Sequence, residues 1–366
     1  MIMKKIISRI AIVLAGMFLA LNANAQSNDN PRRIWLVAHA CNCHRWLQTA
    51  VQDGANGVEI DVNCADKISP TATSVDISVN HKAKYYSPKD REAINRGIKN
   101  RIDHWVSLQE YLNFEEMDKI SILWLDLKPE KPGQVFHIVK EVHRILEDRY
   151  GSREAVPFSI IYGVYRMNTL KNPIGLDYSL SHSGMPLIDW LRDNLWENEG
   201  TGFACEGRHG PYWTRETLEE LKNFFNGHNF PKGKHFACQG TGLPFRMFFN
   251  KRMINTLVQL KNWRDDGSYC VRTGAWTMGK EEYGLQMISS KKDYPKSYGT
   301  ECDLVLMDGR SDFFPAKSLA PGYDCLAVQK FVQRFFRPTS ADSYYYKYNR
   351  GHYVLAGNRW EDPFYK

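Results

Sequence analysis

"WLVAHACNCHRWLQTAVQDGANGVEIDV" spans Trp35 to Val62 and holds two short apolar runs. The first ends in His39 and the second in Glu59-Ile60-Asp61. A core strand has no packing use for these ends, and two buried carboxylates are costly unless something cationic neutralises them. The stretch therefore reads as two strands of a scaffold that carries reactive groups at its strand ends.

Working outward, runs of the same kind recur: "ISILWLDLK" (120–128), "PFSIIYGVY" (157–165), "GFACEG" (202–207), "HFACQG" (235–240), "YCVRTGAWTM" (269–278) and "CDLVLMDG" (302–309). With 34–40 and 57–62 they make eight. Near-continuous apolar runs are the signature of strands buried on both faces. Amphipathic segments separate them, most clearly 134–151, where Val135, Ile138, Val139, Val142, Ile145 and Leu146 mark one helical face. Residues 214–225, with Thr214 and Thr217 as candidate caps, and 253–267 read as further helices. Eight strands joined by crossovers predict an α/β fold, a (β/α)8 TIM barrel. A doubly wound open sheet is the alternative; it usually has fewer strands, and no G-x-G-x-x-G follows the first run here.

Barrel enzymes carry their reactive groups at the C-terminal strand ends. Here those ends hold His39, Glu59 and Asp61, Asp126 and Lys128, and Trp276. A long polar connection, 63–104, contains the short run "SVDISVNH", which closes on His81; connections of that length are usually functional. Side chains alternate along a strand, so Glu59 and Asp61 share a side, as do Asp126 and Lys128. Three carboxylates at one barrel mouth make an oxygen-rich site for a hard cation such as Mg²⁺. Two histidines beside it suit acid and base work on a phosphodiester, and Lys128 suits charge developing on phosphate oxygens.

The 366-residue chain opens on Lys4, Lys5 and Arg9, an apolar stretch, and Ala23-Asn24-Ala25, which reads as a signal peptide over 1–25. The apolar stretch is shorter than the roughly 20 residues a spanning helix needs. An exported, periplasmic or secreted protein with no transmembrane segment in its mature chain is expected. The formal charge is +7, of which three belong to the leader. That excess is too small and scattered to argue for nucleic acid. The barrel is assigned to 26–338, with an aromatic-rich tail at 339–366. Eight cysteines in an oxidising compartment suggest disulfides of open connectivity. Zinc is the competing reading, but no pair of Cys-x-x-Cys knuckles is present.

The order "AHACN", "GANGVEIDV", His81, "LWLDLK" and "AWT" resembles the sphingomyelinase D/phospholipase D family of spider venoms, actinobacteria and fungi, relatives of the glycerophosphodiester phosphodiesterases. The closing "VLAGNRWEDPF" is similar to that family's tail, which plugs the barrel floor. The resemblance implies that Glu59, Asp61 and Asp126 hold Mg²⁺, that His39 and His81 are the catalytic pair, and that Lys128 and Trp276 contact the substrate. It further implies attack by a neighbouring lipid hydroxyl on phosphorus, giving a cyclic phosphate from sphingomyelin-like or lysophospholipid substrates at a membrane interface. A monomer is expected. The chain departs from the family in its longer connection to His81 and in Gly274-Ala275, where an aromatic often precedes the tryptophan. Spider members close the loop after the second histidine with a disulfide. No cysteine lies in that stretch here, so any bridge is a different one, such as Cys41 or Cys43 with Cys64.

Two other functions compete. A glycerophosphodiester phosphodiesterase acting on small soluble diesters usually shows His-Arg-Gly after its first strand, where this chain has "HACNCH". A non-catalytic membrane- or carbohydrate-binding barrel would suit the 10 tryptophans and 19 tyrosines, but has no use for three carboxylates beside two histidines. His137 and His143 read as structural or surface positions on their helix. Lys82, Lys84 and Lys89 read as a solvated loop.

Overall fold

The structure, a computed structural model, describes residues 31–64, 77–79, 106–129, 131–164, 166–204, 215–240, 251–269, 272–278, 280–307, 326–336, 349 and 352–357. All eight apolar runs are strands: β1 (Arg32–Ala38), β2 (Gly57–Cys64), β5 (Ile122–Leu127), β6 (Ser159–Gly163), β7 (Glu199–Ala204), β8 (His235–Gly240), β9 (Arg272–Met278) and β10 (Leu304–Met307). Each pairs in parallel with the next, and β10 returns to β1, so the sheet closes into an eight-stranded barrel. The (β/α)8 expectation holds. Two short strands, β3 (Ile77–Val79) and β4 (Val106–Ser107), extend β2 in antiparallel pairing; β3 falls on the run "SVDISVNH". The helices are α1 (His44–Gln52), α2 (Leu108–Leu112), α3 (Pro132–Tyr150), α4 (Met167–Lys171), α5 (Leu187–Asn194), α6 (Arg215–Gly227), α7 (Lys251–Asp265), α8 (Glu281–Ile288) and α9 (Leu326–Phe331). The leader at 1–25, His81 and most of the tail lie outside the described residues. No helix among the described residues is long and apolar enough to cross a membrane.

Alternation along the strands sorts the core into two layers. Leu36, Val58, Ile60, Leu123 and Leu125 face outward against the helices, where the apolar stripe of α3 is buried as its periodicity predicts. Trp35, Val37, Ile122, Trp124, Ile161, Phe236, Leu304 and Leu306 fill the lumen. On β5 the inward column is Ile122, Trp124, Asp126, turning from apolar to charged on its way to the mouth. Thr217 lies inside α6 and so does not cap it, because the helix already begins at Arg215; Thr214 is outside the described residues.

The floor is held by contacts far apart in sequence. A last strand, β11 (Tyr353–Leu355), lies parallel to the foot of β1, on the edge that β2 takes over higher up. Asn56 sits at that fork. Its side-chain oxygen accepts from Leu36 N–H at 2.6 Å, and its amide donates to Ile34 C=O at 3.0 Å and Ala356 C=O at 2.9 Å. Ala356 enters the lumen cluster. Nearby, buried Asp303 takes Arg264 at 2.8 Å and Arg32 at 3.3 Å. Burial alone would raise its carboxyl; the two arginines outweigh that and hold it down at about 2.

His143 joins this structural set, as its position on a helix suggests. Its Nε2 lies 2.8 Å from the buried Glu199, which also accepts from Tyr162 O–H and from Trp196 N–H. Cys41, Cys43, Cys64 and Cys302 stand as thiols, so the expected bridge from Cys41 or Cys43 to Cys64 is not formed here.

His235, at the foot of β8, is fully enclosed beside Phe225 and Tyr269, and burial pushes its imidazole down to about 3. The unfolded chain takes up that proton near pH 6.5, whereas the folded one does so only near 3. This contribution to stability therefore falls as pH drops through that window, by about 2 kcal/mol at pH 5. Urea titrations at pH 7 and pH 5 should show that loss, and His235→Phe should remove most of it. An unchanged pH dependence in the variant would refute the assignment.

Candidate metal centre at the barrel mouth

The site is built by a tight turn at the end of β1. His39 N–H continues the ladder to Met307 C=O at 3.0 Å, and then Ala40 adopts a left-handed backbone, φ 54°. That conformation costs a residue with a Cβ about 1–2 kcal/mol, and the turn converts it into contacts with β2. Ala40 N–H donates to a Glu59 carboxylate oxygen at 2.5 Å, and Cys41 N–H donates to Glu59 C=O at 2.8 Å. Asn42, fully buried, clamps Asp61 reciprocally. Its amide donates to the carboxylate at 2.6 Å, and its oxygen accepts from Asp61 N–H at 2.8 Å.

In the parallel register of β2 and β5, Asp61 stands opposite Asp126 and Glu59 opposite Trp124. One carboxylate oxygen from each of Glu59, Asp61 and Asp126 lies within 4.8 Å of the others, and all three residues are buried. Lys128 reaches back over this cluster, with Nζ 2.7 Å from Asp61 and 2.5 Å from Asp126. Burial would lower the ammonium's proton affinity, but Asp126, Asp61 and Glu59 outweigh it and raise it. Glu59 is driven well above the ordinary carboxylate range, first by burial and then by the charges of Asp61 and Asp126. His39 lies alongside, Nε2 3.8 Å from Glu59, and its ring is 6.4 Å from that of Trp276. His39, Glu59, Trp124, Asp126, Trp276 and Leu306 line a small cavity at this point.

Six of the seven residues singled out in the sequence are thus brought together; the seventh, His81, is outside the described residues. The three oxygens, buried and within 4.8 Å of one another, are a donor set that could hold a hard divalent cation. Reading the sequence missed Asn42 and Trp124. Asn42 lies in "AHACN", but nothing local shows that a left-handed Ala40 will aim it at Asp61.

Burial and the charges of Asp61 and Asp126 favour the neutral form of Glu59, and a proton held there must leave before its oxygen can bind a cation. Mg²⁺ affinity should therefore rise with pH, and calorimetry in buffers of different ionisation enthalpy should show proton release. Identical heats across buffers would contradict this.

No protein-family model matches the chain, and none of the curated proteins matches it. Among solved structures it is similar to a glycerophosphoryl diester phosphodiesterase from Parabacteroides distasonis ATCC 8503, at 12% identity and a TM-score of 0.42, over 87% of this chain and 91% of that one. A likeness at that level settles neither activity nor substrate, and the barrel described above rests on this chain's own strand pairing.

Proposed function

We propose that this protein is a Mg²⁺-dependent phosphodiesterase of the phospholipase D type, removing the head group from sphingomyelin-like or lysophospholipid substrates. The observation that supports it is the cluster of Glu59, Asp61 and Asp126 with Lys128 across it and His39 beside it. A cation held there would neutralise the non-bridging oxygens of a phosphodiester. The chain's own groups do the rest. Lys128 adds positive charge on the phosphate, and Trp276 walls the cavity on the side of His39.

In this reading the substrate supplies its own nucleophile, a neighbouring hydroxyl held at high effective concentration. Its oxygen bonds to phosphorus while its proton passes to one imidazole. The bond from phosphorus to the head-group oxygen breaks, and that oxygen takes a proton from the other imidazole. The products are a cyclic phosphodiester and a free alcohol, and no water is consumed. His39 and His81 are the assigned pair. Export and access from a membrane surface belong to the same reading.

The test is ³¹P NMR of sphingomyelin and of lysophosphatidylcholine with the protein, with and without Mg²⁺. A cyclic-phosphate resonance that needs Mg²⁺ is expected, and His39→Ala should slow its appearance by about 10²–10⁴-fold. Linear phosphate alone, with label taken up from water, would mean hydrolysis. Turnover of glycerophosphocholine but of neither lipid would make the enzyme one for small diesters.

A further inference from the structure

Trp124 lines the mouth cavity, and neither the cation nor the histidines explain its presence there. It is 2% exposed, and its indole N–H is among the buried polar groups with no hydrogen-bond partner. A buried donor left unsatisfied costs about 1–3 kcal/mol, so such a group calls for a reason. The neighbouring strands are shaped around this ring. A Cβ placed on Gly163 of β6 would lie 2.7 Å from the indole nitrogen. A Cβ on Gly202 of β7 would lie 2.5 and 2.6 Å from the ring's far carbons. Two glycines on adjacent strands thus vacate the lumen so that the indole can lie across both. Glycine inside a strand is unfavourable without such a use.

The ring's orientation fixes where the N–H sits. Gly163, beside the nitrogen, stands opposite Asp126 in the register of β5 and β6. The donor therefore comes up to the level of the carboxylates, on the β6 side of Asp126, in a wall it shares with Glu59, Asp126 and His39. Both carboxylates there are acceptors, yet neither is bonded to it. A ligand oxygen arriving at this level would supply the acceptor.

We propose that the Trp124 indole N–H is a substrate-contacting donor of this site, binding a non-bridging phosphoryl oxygen on the β6 side of the cation. This rests on the phosphodiesterase reading above and adds a residue to it. Gly163 and Gly202 are its positioning residues, since any side chain at either would push the indole out of place. A hydrogen bond to a charged oxygen in so dry a setting accounts for roughly a tenfold change in affinity.

The experiment is a titration of the full chain, ¹⁵N-labelled at its 10 tryptophans, with inorganic phosphate at fixed Mg²⁺. The Trp124 indole resonance is assigned through its contact with the Gly163 α-protons. It should move downfield and saturate as phosphate binds, and Trp124→Phe should weaken phosphate binding about tenfold while leaving Mg²⁺ affinity unchanged. Phosphate binding seen by calorimetry, with an unmoved Trp124 resonance and equal affinity in the variant, would reduce Trp124 to a filler of the barrel lumen. No phosphate binding by the unaltered protein would remove the phosphodiesterase reading and this donor with it. Should the variant not fold, the resonance of the unaltered protein decides.

Discussion

Lys128→Met lowers the stability of the metal-free protein by about 3 kcal/mol, and saturating Mg²⁺ restores most of that loss. Lys128 is the cation that the described structure places across Asp61 and Asp126, and these carboxylates and Glu59 are buried. Removing one partner of a buried ion pair typically costs 3–5 kcal/mol, because the remaining charge keeps its desolvation penalty. The lower end is expected here, since the lysine side chain is 22% exposed and Glu59 already favours its proton. A cation bound in the cluster replaces the missing charge, and ligand at 100 times its dissociation constant adds about 2.7 kcal/mol. The cost should grow with pH, as Glu59, whose neutral form burial favours, loses its proton. Urea denaturation in EDTA and in Mg²⁺ measures both effects. Turnover should stay low even with Mg²⁺, because the metal restores the fold and not the phosphate contact proposed above for Lys128. A variant as stable as the parent in EDTA would mean that the carboxylates are neutralised some other way.

The second large effect is Asn56→Ala, expected to cost about 2–6 kcal/mol in the same assay. The substitution orphans Leu36 N–H and the Ala356 carbonyl at the barrel floor, each worth about 1–3 kcal/mol when buried and unsatisfied. Ile34 C=O keeps a partner, the N–H of Ala356. Asn56→Asp should be no better: it preserves the acceptor for Leu36 but turns a carboxylate toward two carbonyl oxygens. A loss below 1 kcal/mol in the alanine variant would show that the fork is held by the strands alone.

The barrel was legible because its strands are buried on both faces, and such strands write themselves as unbroken apolar runs. The polar interruptions at the run ends were legible for the same reason. Glu59, Asp61 and Asp126 have no place in an apolar strand unless they meet, and alternation placed Glu59 and Asp61 on one side of their strand. Asn42, Asn56 and Trp124 were illegible for the opposite reason. Each acts through contacts that depend on the closed barrel: a left-handed turn at Ala40, a carbonyl 300 residues away, and glycines on two other strands. An asparagine in a turn or a tryptophan in a strand reads as ordinary, and only the geometry around it says otherwise. Thr217 failed as a cap because helix starts shift by a residue or two with little change in local signal.

The pairing of β1 with β10 and β11 also bears on synthesis. β1 is the first described strand to leave the ribosome, and its partner at Leu304 follows about 270 residues later. The strand that covers its foot comes later still, at Tyr353. Until then the nascent chain carries an apolar strand with an open edge, which is a template for pairing with other chains. Barrel closure therefore waits until β10 has been made, and a product broken off before Leu304 keeps that edge exposed permanently. Such fragments should aggregate or be degraded rather than persist as soluble partial barrels.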